Sequence, residues 1–221
     1  MSDLIEDPRI QAYIESLGRG NGEFLDDLEA VCIRDSIPII RPSMQSILKV
    51  LIGIKSPGSI LEVGTATGFS AILMASCTSD ESRITTIEKY EKRIPEARKN
   101  IAESGYKEKI ELLEGDAALV LKDLVSLGLK YDMIFMDAAK GQYLNFLEDT
   151  LDLLETGGIL VSDNVLQEGD IIQSRFAVTR RNRTIHSRMR EYLYRLTHDD
   201  RLETTVLPVG DGVTVSIRKS L

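Results

Sequence analysis

Two acidic residues and one amide follow two short apolar runs between residues 131 and 164 of this 221-residue chain. Asp137 closes the first run, and Asp163 and Asn164 close the second. Such runs are typical of buried parallel strands, and the leucines between them recur at helical spacing. Because both strands of a strand–helix–strand unit end at one edge of the sheet, the three side chains should lie together. Oxygen donors without thiols or imidazoles favour Mg²⁺ or Ca²⁺ over zinc.

Lys140 lies three residues after Asp137, in the predicted first turn of the helix. Beside a divalent cation an ammonium group releases its proton more readily. Lys140 is therefore a candidate general base or electrostatic partner. The alternative is an ordinary surface lysine.

Three further acids, Glu62, Glu88 and Asp116, lie at the ends of predicted strands. The segment 62–68, Glu-Val-Gly-Thr-Ala-Thr-Gly, joins a strand to a helix, and its glycines allow a tight turn and the close approach of a ligand. It lacks both the dinucleotide pattern and the lysine of a phosphate-binding loop, so a nucleoside without a pyrophosphate fits better. Glu88 can accept hydrogen bonds from ribose hydroxyls. The alternative is that these acids only cap the following helices.

The elements needed to position these residues indicate a doubly wound α/β sheet. Strand and helix alternate five times, and two alternating runs at 203–207 and 213–217 then predict an antiparallel hairpin. We predict one domain over 1–221, with an N-terminal helical layer at 1–56 and a cofactor-binding and catalytic core at 57–221. The layer could act as a lid or a dimer surface.

Composition is that of a soluble globular protein, with 43% apolar and 28% charged residues. We expect no membrane helix, since no run approaches about 18 apolar residues, and no signal peptide, since the N-terminus is acidic. With only Cys32 and Cys77, a disulfide framework or cysteine-based metal site is not expected, and a cytoplasmic location is predicted.

An arginine-rich segment between residues 171 and 198 contrasts with the net charge of −8. It holds seven arginines and one acid, hence +6, which leaves −14 for the rest of the chain. Such a segment can bind a polyanion although the protein is acidic. The alternatives are a solvated face, pairing with the acidic remainder, or a rim that binds coenzyme A.

Several motifs together carry a family resemblance from residue 39 to residue 221. They are Glu-Val-Gly-Thr-Ala-Thr-Gly-Phe-Ser, Ile-Glu-Lys, Gly-Asp-Ala, Asp-Ala-Ala-Lys-Gly-Gln-Tyr and Ser-Asp-Asn-Val-Leu. The chain resembles the cation-dependent O-methyltransferases, which include catechol and caffeoyl-coenzyme A methyltransferases. Within this family, Asp-Asn-Val-Leu-x-x-Gly, the arginine-rich helix and Pro-Val-Gly-Asp-Gly are similar to the bacterial tRNA 5-hydroxyuridine methyltransferases.

The resemblance implies a Rossmann-like, seven-stranded class I methyltransferase sheet with S-adenosylmethionine bound at its carboxyl edge. The positions that match the cofactor site are Met44, Glu62, Gly64, Ser70, Glu88, Asp116, Ala117 and Asp137. Asp137, Asp163 and Asn164 match the metal ligands, with Mg²⁺ or another divalent cation expected. The chain has no tryptophan, unlike the catechol-type pattern, so no indole can hold the adenine or an aromatic substrate.

The first functional hypothesis is methylation of the 5-hydroxyl of 5-hydroxyuridine at the tRNA wobble position, giving 5-methoxyuridine. Arg180, Arg181 and Arg183 would bind the phosphates of the anticodon loop, and Tyr143 or Phe176 could stack on the base. The alternative is a small catechol-like or caffeoyl-coenzyme A-like substrate, because both substrate types offer two adjacent oxygens to the metal. A third hypothesis is a non-catalytic nucleoside-binding module. The family resemblance also implies a homodimer.

Overall fold

The computed structural model describes residues 8–220, in which helices and strands alternate after three N-terminal helices. The strands are β1 Ser59–Val63, β2 Arg83–Glu88, β3 Ile110–Glu114, β4 Tyr131–Met136, β5 Leu154–Ser162, β6 Leu202–Leu207 and β7 Val213–Arg218. The helices are α1 Pro8–Ser16, α2 Glu23–Arg34, α3 Pro42–Lys55, α4 Phe69–Cys77, α5 Ile94–Glu103, α6 Ala117–Ser126, α7 Tyr143–Leu153 and α8 Arg183–His198. Short 3₁₀ turns occur at Lys107–Lys109, Lys140–Gln142 and Gln167–Ile172.

All seven strands form one sheet in the order β3-β2-β1-β4-β5-β7-β6. The strands β1 to β5 run parallel to one another, and β7 runs antiparallel to both β5 and β6. This arrangement confirms the predicted doubly wound sheet with a C-terminal hairpin. The direction of winding reverses between β1 and β4, and ligands of such sheets bind beyond the carboxyl ends of the strands at that point.

Successive strand residues point to opposite faces, which creates two apolar layers. Ile60 of β1 packs with α2, α3 and α4 on one face, and the next residue, Leu61, packs with α6, α7 and α8 on the other. Both side chains are fully buried. Burial on both faces explains why the central strands read as continuous apolar runs in the sequence.

The N-terminal helices α2 and α3 belong to the first of these layers, through Leu28 and Leu48 among others. The glycine-rich residues 18–22 lie between α1 and α2. Residues 1–7 of the predicted N-terminal helical layer lie outside the described residues. The proposed boundary between residues 56 and 57 falls in the link from α3 to β1.

After β5, the polar and arginine-rich sequence predicts a loop over 166–184, and the spacing of Met189, Leu193 and Leu196 predicts a helix over 185–196. The structure instead has a 3₁₀ turn at Gln167–Ile172 within the predicted loop, and α8 begins two residues earlier and ends two residues later than predicted. Cys32 and Cys77 are free thiols. Within residues 8–220, no helix has both the length and the apolar character needed to cross a membrane.

Candidate functional site

A cavity of about 730 Å³ opens at the carboxyl edge of the sheet, beside the ends of β1, β2, β4 and β5. Its volume is within the range of small-molecule and cofactor sites. Most of the residues predicted to bind the cofactor or the metal, or to act as the general base, line it. They are Gly64, Ser70, Glu88, Asp116, Ala117, Asp137, Lys140, Asp163 and Asn164.

The glycine-rich loop after β1 packs directly on the backbone that carries Asp137. Gly64 has a φ of +109°, and a Cβ at this position would lie 2.1 Å from the carbonyl oxygen of Asp137. The amide of Asp137 donates to the carbonyl of Val63 at 3.0 Å. Only glycine fits here. The close contact therefore fixes the position of the glycine-rich loop relative to Asp137.

Glu88 holds the same loop from the neighbouring strand. Its Oε2 accepts the amide of Ala66 at 2.8 Å, and its Oε1 accepts the amides of Lys89 and Tyr90 at 2.9 and 2.8 Å. A carboxylate has about four acceptor positions. One therefore remains for a ribose hydroxyl, in keeping with the predicted role of Glu88.

Asp116 caps α6 and also faces the cavity. It accepts the amide of Ala118 at 2.9 Å, and that hydrogen bond, followed by the one from Lys89, lowers the pKa of Asp116. Capping and cofactor binding are thus compatible here rather than exclusive. Tyr90, which the sequence reasoning missed, lines the same part of the cavity with half of its side chain exposed.

Asp137, Asp163 and Asn164 come together as predicted from the ends of β4 and β5. The Asn164 amide nitrogen donates to Asp137 Oδ1 at 3.1 Å, and the Asn164 backbone amide donates to Asp163 Oδ1 at 2.7 Å. Asn164 has a φ of +61°, a left-handed conformation that asparagine tolerates better than most residues. This conformation lets consecutive residues turn both side chains into one site.

The electrostatics of these acids fit a divalent cation. Burial raises the pKa of Asp137, although Asn164 and Lys140 oppose the shift. Burial, and then the charge of Asp137, raise the pKa of Asp163 to about 7. A cation between two such carboxylates would remove both the desolvation and the repulsion.

The donor set contains only two carboxylates, and its third member is a carboxamide. Among residues 8–220 no group of three or more His, Cys, Asp or Glu is arranged to hold a metal ion. This result agrees with the site, because Asn164 falls outside those residue types. Asn164 would offer its carbonyl oxygen after a rotation of its amide, and neutral oxygens suit hard cations.

Lys140 forms an ion pair that the sequence reasoning did not foresee. Its Nζ lies 2.5 Å from Oδ2 of Asp211, in the turn between β6 and β7. Lys140 also lines the cavity and lowers the pKa of Asp137 through its charge. Lys140 is therefore part of the cavity wall and is not an ordinary surface lysine.

Tyr143 was predicted to stack on a substrate base, and this prediction is wrong. Its side chain is fully buried, and its hydroxyl lies 3.0 Å from the Asp163 carbonyl and 3.1 Å from the Met136 carbonyl. It packs edge-on against Tyr192, whose hydroxyl lies 2.6 Å from that of Ser162. The two tyrosines thus stabilise the ends of β4 and β5 through these buried hydrogen bonds.

Met44 and Glu62 do not line the cavity, contrary to the prediction. Both are buried, and Thr86 donates to Oε2 of Glu62 at 2.5 Å while lying 2.6 Å from the hydroxyl of Thr65. Glu62 therefore supports the glycine-rich loop from behind. Its Oε1 has no hydrogen-bond partner among the described residues.

The arginines predicted to bind substrate lie outside the cavity wall. Arg180 and Arg181 are exposed. Arg183 is half-buried and donates to the carbonyls of Val178 and Phe176, both at 3.3 Å, while its guanidinium lies over the Phe176 ring. Arg183 therefore holds the loop together, whereas Arg180 and Arg181 remain available to a ligand.

Other arginines of this segment pair with the rest of the protein, one of the alternatives considered above. Arg195 pairs with Glu148 of α7, and Arg188 donates to Asn145 of the same helix. The helix α8 thus packs on α7, and a Cβ at Gly141 would lie 3.6 Å from Ile185. That contact places the start of α8 beside the Lys140–Gln142 turn.

Comparison with known proteins agrees with this geometry. The family model described as O-methyltransferase matches residues 3–219. Caffeoyl-CoA O-methyltransferase 2 of Petunia hybrida is 34% identical over 181 residues, which cover 78% of this chain and 73% of the relative.

Two solved structures extend the similarity to nearly the whole fold. An O-methyltransferase from Bacillus cereus in complex with SAH is 26% identical, with a TM-score of 0.83 over 96% of this chain and 97% of that one. An SAH-bound methyltransferase from Podospora anserina is 27% identical, with a TM-score of 0.85 over 100% and 98% of the two chains.

Proposed function

We propose that this chain, which belongs to the O-methyltransferase family, is a divalent-cation-dependent enzyme that methylates one of two adjacent oxygens of a small aromatic substrate. The methyl donor is S-adenosylmethionine. The proposal rests on one observation: a single cavity joins the Glu88 and Asp116 end to the cluster of Asp137, Asp163 and Asn164.

The acidic end of the cavity supplies what an oxygen nucleophile needs. A neutral hydroxyl is a poor nucleophile, so its proton must leave before or during methyl transfer. When bound, a divalent cation stabilises the oxygen anion and fixes its direction. Asp137, Asp163 and Asn164 would hold that cation, and Lys140 adds a positive charge in the wall.

The nucleoside end orients the donor. Glu88 is positioned for ribose hydroxyls, Asp116 and Tyr90 lie where the base would fit, and the glycine-rich loop sets the distance to Asp137. Methyl transfer breaks the bond between the methyl carbon and sulfur and forms a bond between that carbon and the substrate oxygen. The main requirement is therefore that the oxygen lies within about 3 Å of the methyl carbon and in line with the carbon–sulfur bond. A rigid loop between the two ends provides that alignment.

We favour a catechol-like or caffeoyl-coenzyme A-like substrate over tRNA, which reverses the order of the two sequence-based hypotheses. The relatives named above include a caffeoyl-CoA O-methyltransferase. With Tyr143 buried and Arg183 engaged within the loop, two of the contacts expected for a nucleic acid are lost.

A second, shallower cavity of about 400 Å³ supports a phosphorylated small substrate. It is lined by Gln173, Ser174, Arg175, His186, Ser187 and Arg190. These side chains offer hydrogen-bond donors and two guanidinium groups, which suit phosphate. The phosphates of a coenzyme A thioester would be attracted by these arginines and by the exposed Arg180 and Arg181 of the same segment.

Methyl transfer to catechol and to caffeoyl-coenzyme A, followed by chromatography, tests the proposal. Activity should require Mg²⁺ and disappear with EDTA. Asp163→Asn should lower activity by about 100-fold, whereas Asp152→Asn, the same chemical change at an exposed position of α7, should leave it intact. Full activity in EDTA, or no transfer to any adjacent diol, would overturn the proposal.

A tRNA substrate remains the second candidate because of the exposed Arg180 and Arg181. A 5-hydroxyuracil also offers two adjacent oxygens, so the same metal donors would serve it. Mass spectrometry of tRNA nucleosides from cells lacking the protein decides this point, since 5-methoxyuridine would disappear only if tRNA is the substrate.

A further inference from the structure

We propose that Asp211 is a positioning residue for Lys140, brought to the active site by the turn between β6 and β7. Its carboxylate fixes the direction of the Lys140 ammonium in the cavity wall. The inference deepens the proposed function, because it takes Lys140 to act on the reacting oxygen. It also gives a role to the Gly-Asp-Gly part of the Pro-Val-Gly-Asp-Gly motif, for which the sequence alone suggested none.

The contact is direct and unequal. Lys140 Nζ lies 2.5 Å from Asp211 Oδ2, and the lysine side chain is 34% exposed whereas that of the aspartate is 3% exposed. A lysine side chain has four rotatable bonds and many rotamers. A buried charged partner selects one of them, so the ammonium stays beside the cavity.

The turn itself is held against the segment that carries the metal donors. The amides of Val165 and Leu166 donate to the carbonyls of Gly212 and Asp211 at 3.0 and 2.8 Å. Gly212 has a φ of +83°, and a Cβ there would lie 2.2 Å from the Leu166 side chain. Asp211 therefore cannot shift relative to Asp163 and Asn164 without breaking these contacts.

One buried carboxylate thus relates two parts of the site that are far apart in the chain. Through its side chain the turn holds Lys140, and through its backbone it holds the residues directly after Asn164. Asp211 does not line the cavity itself. Its charge also helps to raise the pKa of Asp163, but its side chain touches the cavity wall at Lys140, which makes it a positioning residue and not a catalytic one.

Steady-state kinetics of Asp211→Asn test the assignment. We expect kcat to fall by about ten-fold and its pH profile to change, because the ammonium loses its fixed direction and its charged partner. The KM for S-adenosylmethionine should stay within about two-fold. Asp211→Glu, which keeps the charge, should recover part of the loss and replaces Asp211→Asn if that variant unfolds.

Asp199→Asn is the matched control. Asp199 pairs with Arg201 at 2.7 Å near the start of β6, at the other end of the same hairpin. The Asp199→Asn variant loses an aspartate–cation pair of the same kind at a position outside the cavity wall, so its kcat and pH profile should match those of the wild type. An equal loss of kcat in both variants would mean a general effect of hairpin stability, and would overturn the assignment.

A double-mutant cycle separates positioning from an independent role. If Asp211 acts through Lys140, then Lys140→Met combined with Asp211→Asn should be no slower than Lys140→Met alone, within about two-fold. Multiplicative losses would overturn the assignment, as would wild-type kcat in Asp211→Asn.

NMR of ¹³C-dimethylated lysines gives a readout that needs no turnover. The Lys140 signal, identified by its loss in Lys140→Arg, should move in Asp211→Asn and stay in place in Asp199→Asn. If the wild type transfers no methyl group but this signal moves as expected, the proposed function fails while the contact stands. An unmoved signal overturns the positioning role itself.

Discussion

A buried carboxylate behind a loop makes the protein sensitive to pH at the level of a single residue. Burial raises the pKa of Glu62 from its ordinary value of 4.5 to about 7, although hydroxyls of Ser70 and Thr86 oppose the shift. The fold therefore favours the protonated form. Protonated Glu62 stabilises the folded state relative to its ionised form. This contribution to the free energy of unfolding is fully present below about pH 4.5 and is lost as the pH rises through about 7.

Glu62→Gln should remove this loss, because glutamine resembles the protonated acid and carries no charge. We expect the free energy of unfolding of the variant, relative to wild type, to rise by roughly 1–3 kcal/mol between pH 5 and pH 8. Urea denaturation in EDTA and without cofactor measures it. Glu203→Gln, at an exposed position of β6, should show no such trend, and a flat difference for Glu62→Gln would contradict the prediction.

Whether a site residue could be predicted from the sequence depends on which structural feature brings it to the site. Asp137, Asp163 and Asn164 could be predicted because each directly follows an apolar strand, and parallel strands end together. Asp211 lies 71 positions from Lys140 along the chain, and only the register of β7 against β5 brings it there. Tyr143 was misplaced because each residue of a helix is rotated by about 100° from the one before it, so a shift of one or two positions decides whether a side chain faces a ligand or the core.

At the scale of the element, the glycine-rich loop is a spacer between the two ends of the cavity. Its length and shape depend on Gly64, whose missing side chain allows β1 and β4 to end in contact. Helices and strands of this molecule were predictable from apolar periodicity, whereas this backbone contact between two loops was not. The 3₁₀ turn at Gln167–Ile172 escaped prediction for a related reason, because it has no apolar period.

Gly64→Ala should disturb both stability and activity. The new Cβ would meet the Asp137 carbonyl and would also adopt an unfavourable φ, so we expect a loss of at least about 2 kcal/mol in the free energy of unfolding. Activity should fall even below the melting temperature because Asp137 must move. Differential scanning calorimetry and the methyl-transfer assay measure the two effects.

Gly53→Ala is the comparison for that variant. Gly53 lies in α3 with nothing within 4 Å of an added Cβ, so alanine should be neutral or stabilise the helix by up to about 1 kcal/mol. A Gly64→Ala protein as stable as Gly53→Ala would show that the loop can relax without moving Asp137.

Across the whole molecule, charge is divided between an acidic body and a basic segment. Some arginines of this segment join it to the body through Glu148 and Asn145, whereas Arg180 and Arg181 remain exposed. The predicted homodimer stays a prediction. Exposed apolar side chains on α1 and directly after it, namely Tyr13, Ile14 and Leu17, are candidates for its contact surface.

Replacing Arg180 and Arg181 by alanine should separate phosphorylated from simple substrates. For caffeoyl-coenzyme A we expect kcat/KM to fall by about three- to ten-fold and to become less sensitive to salt, because two charges that attract phosphate are removed. Free catechol should be unaffected within about two-fold. Replacing the exposed Lys92 and Lys99 removes the same charge elsewhere and should change neither; an equal loss for catechol would contradict the prediction.

The strand order β5-β7-β6 has a consequence for biosynthesis. The ribosome releases β5 and the metal donors well before β7, which must insert between β5 and β6. Until then the outer side of β5 is an unpaired apolar edge, the kind that pairs with other chains and promotes aggregation. A nascent chain halted in the arginine-rich segment would therefore carry most of the cavity but neither the Asp211 contact nor a protected sheet, so catalysis and solubility are completed by the same late hairpin.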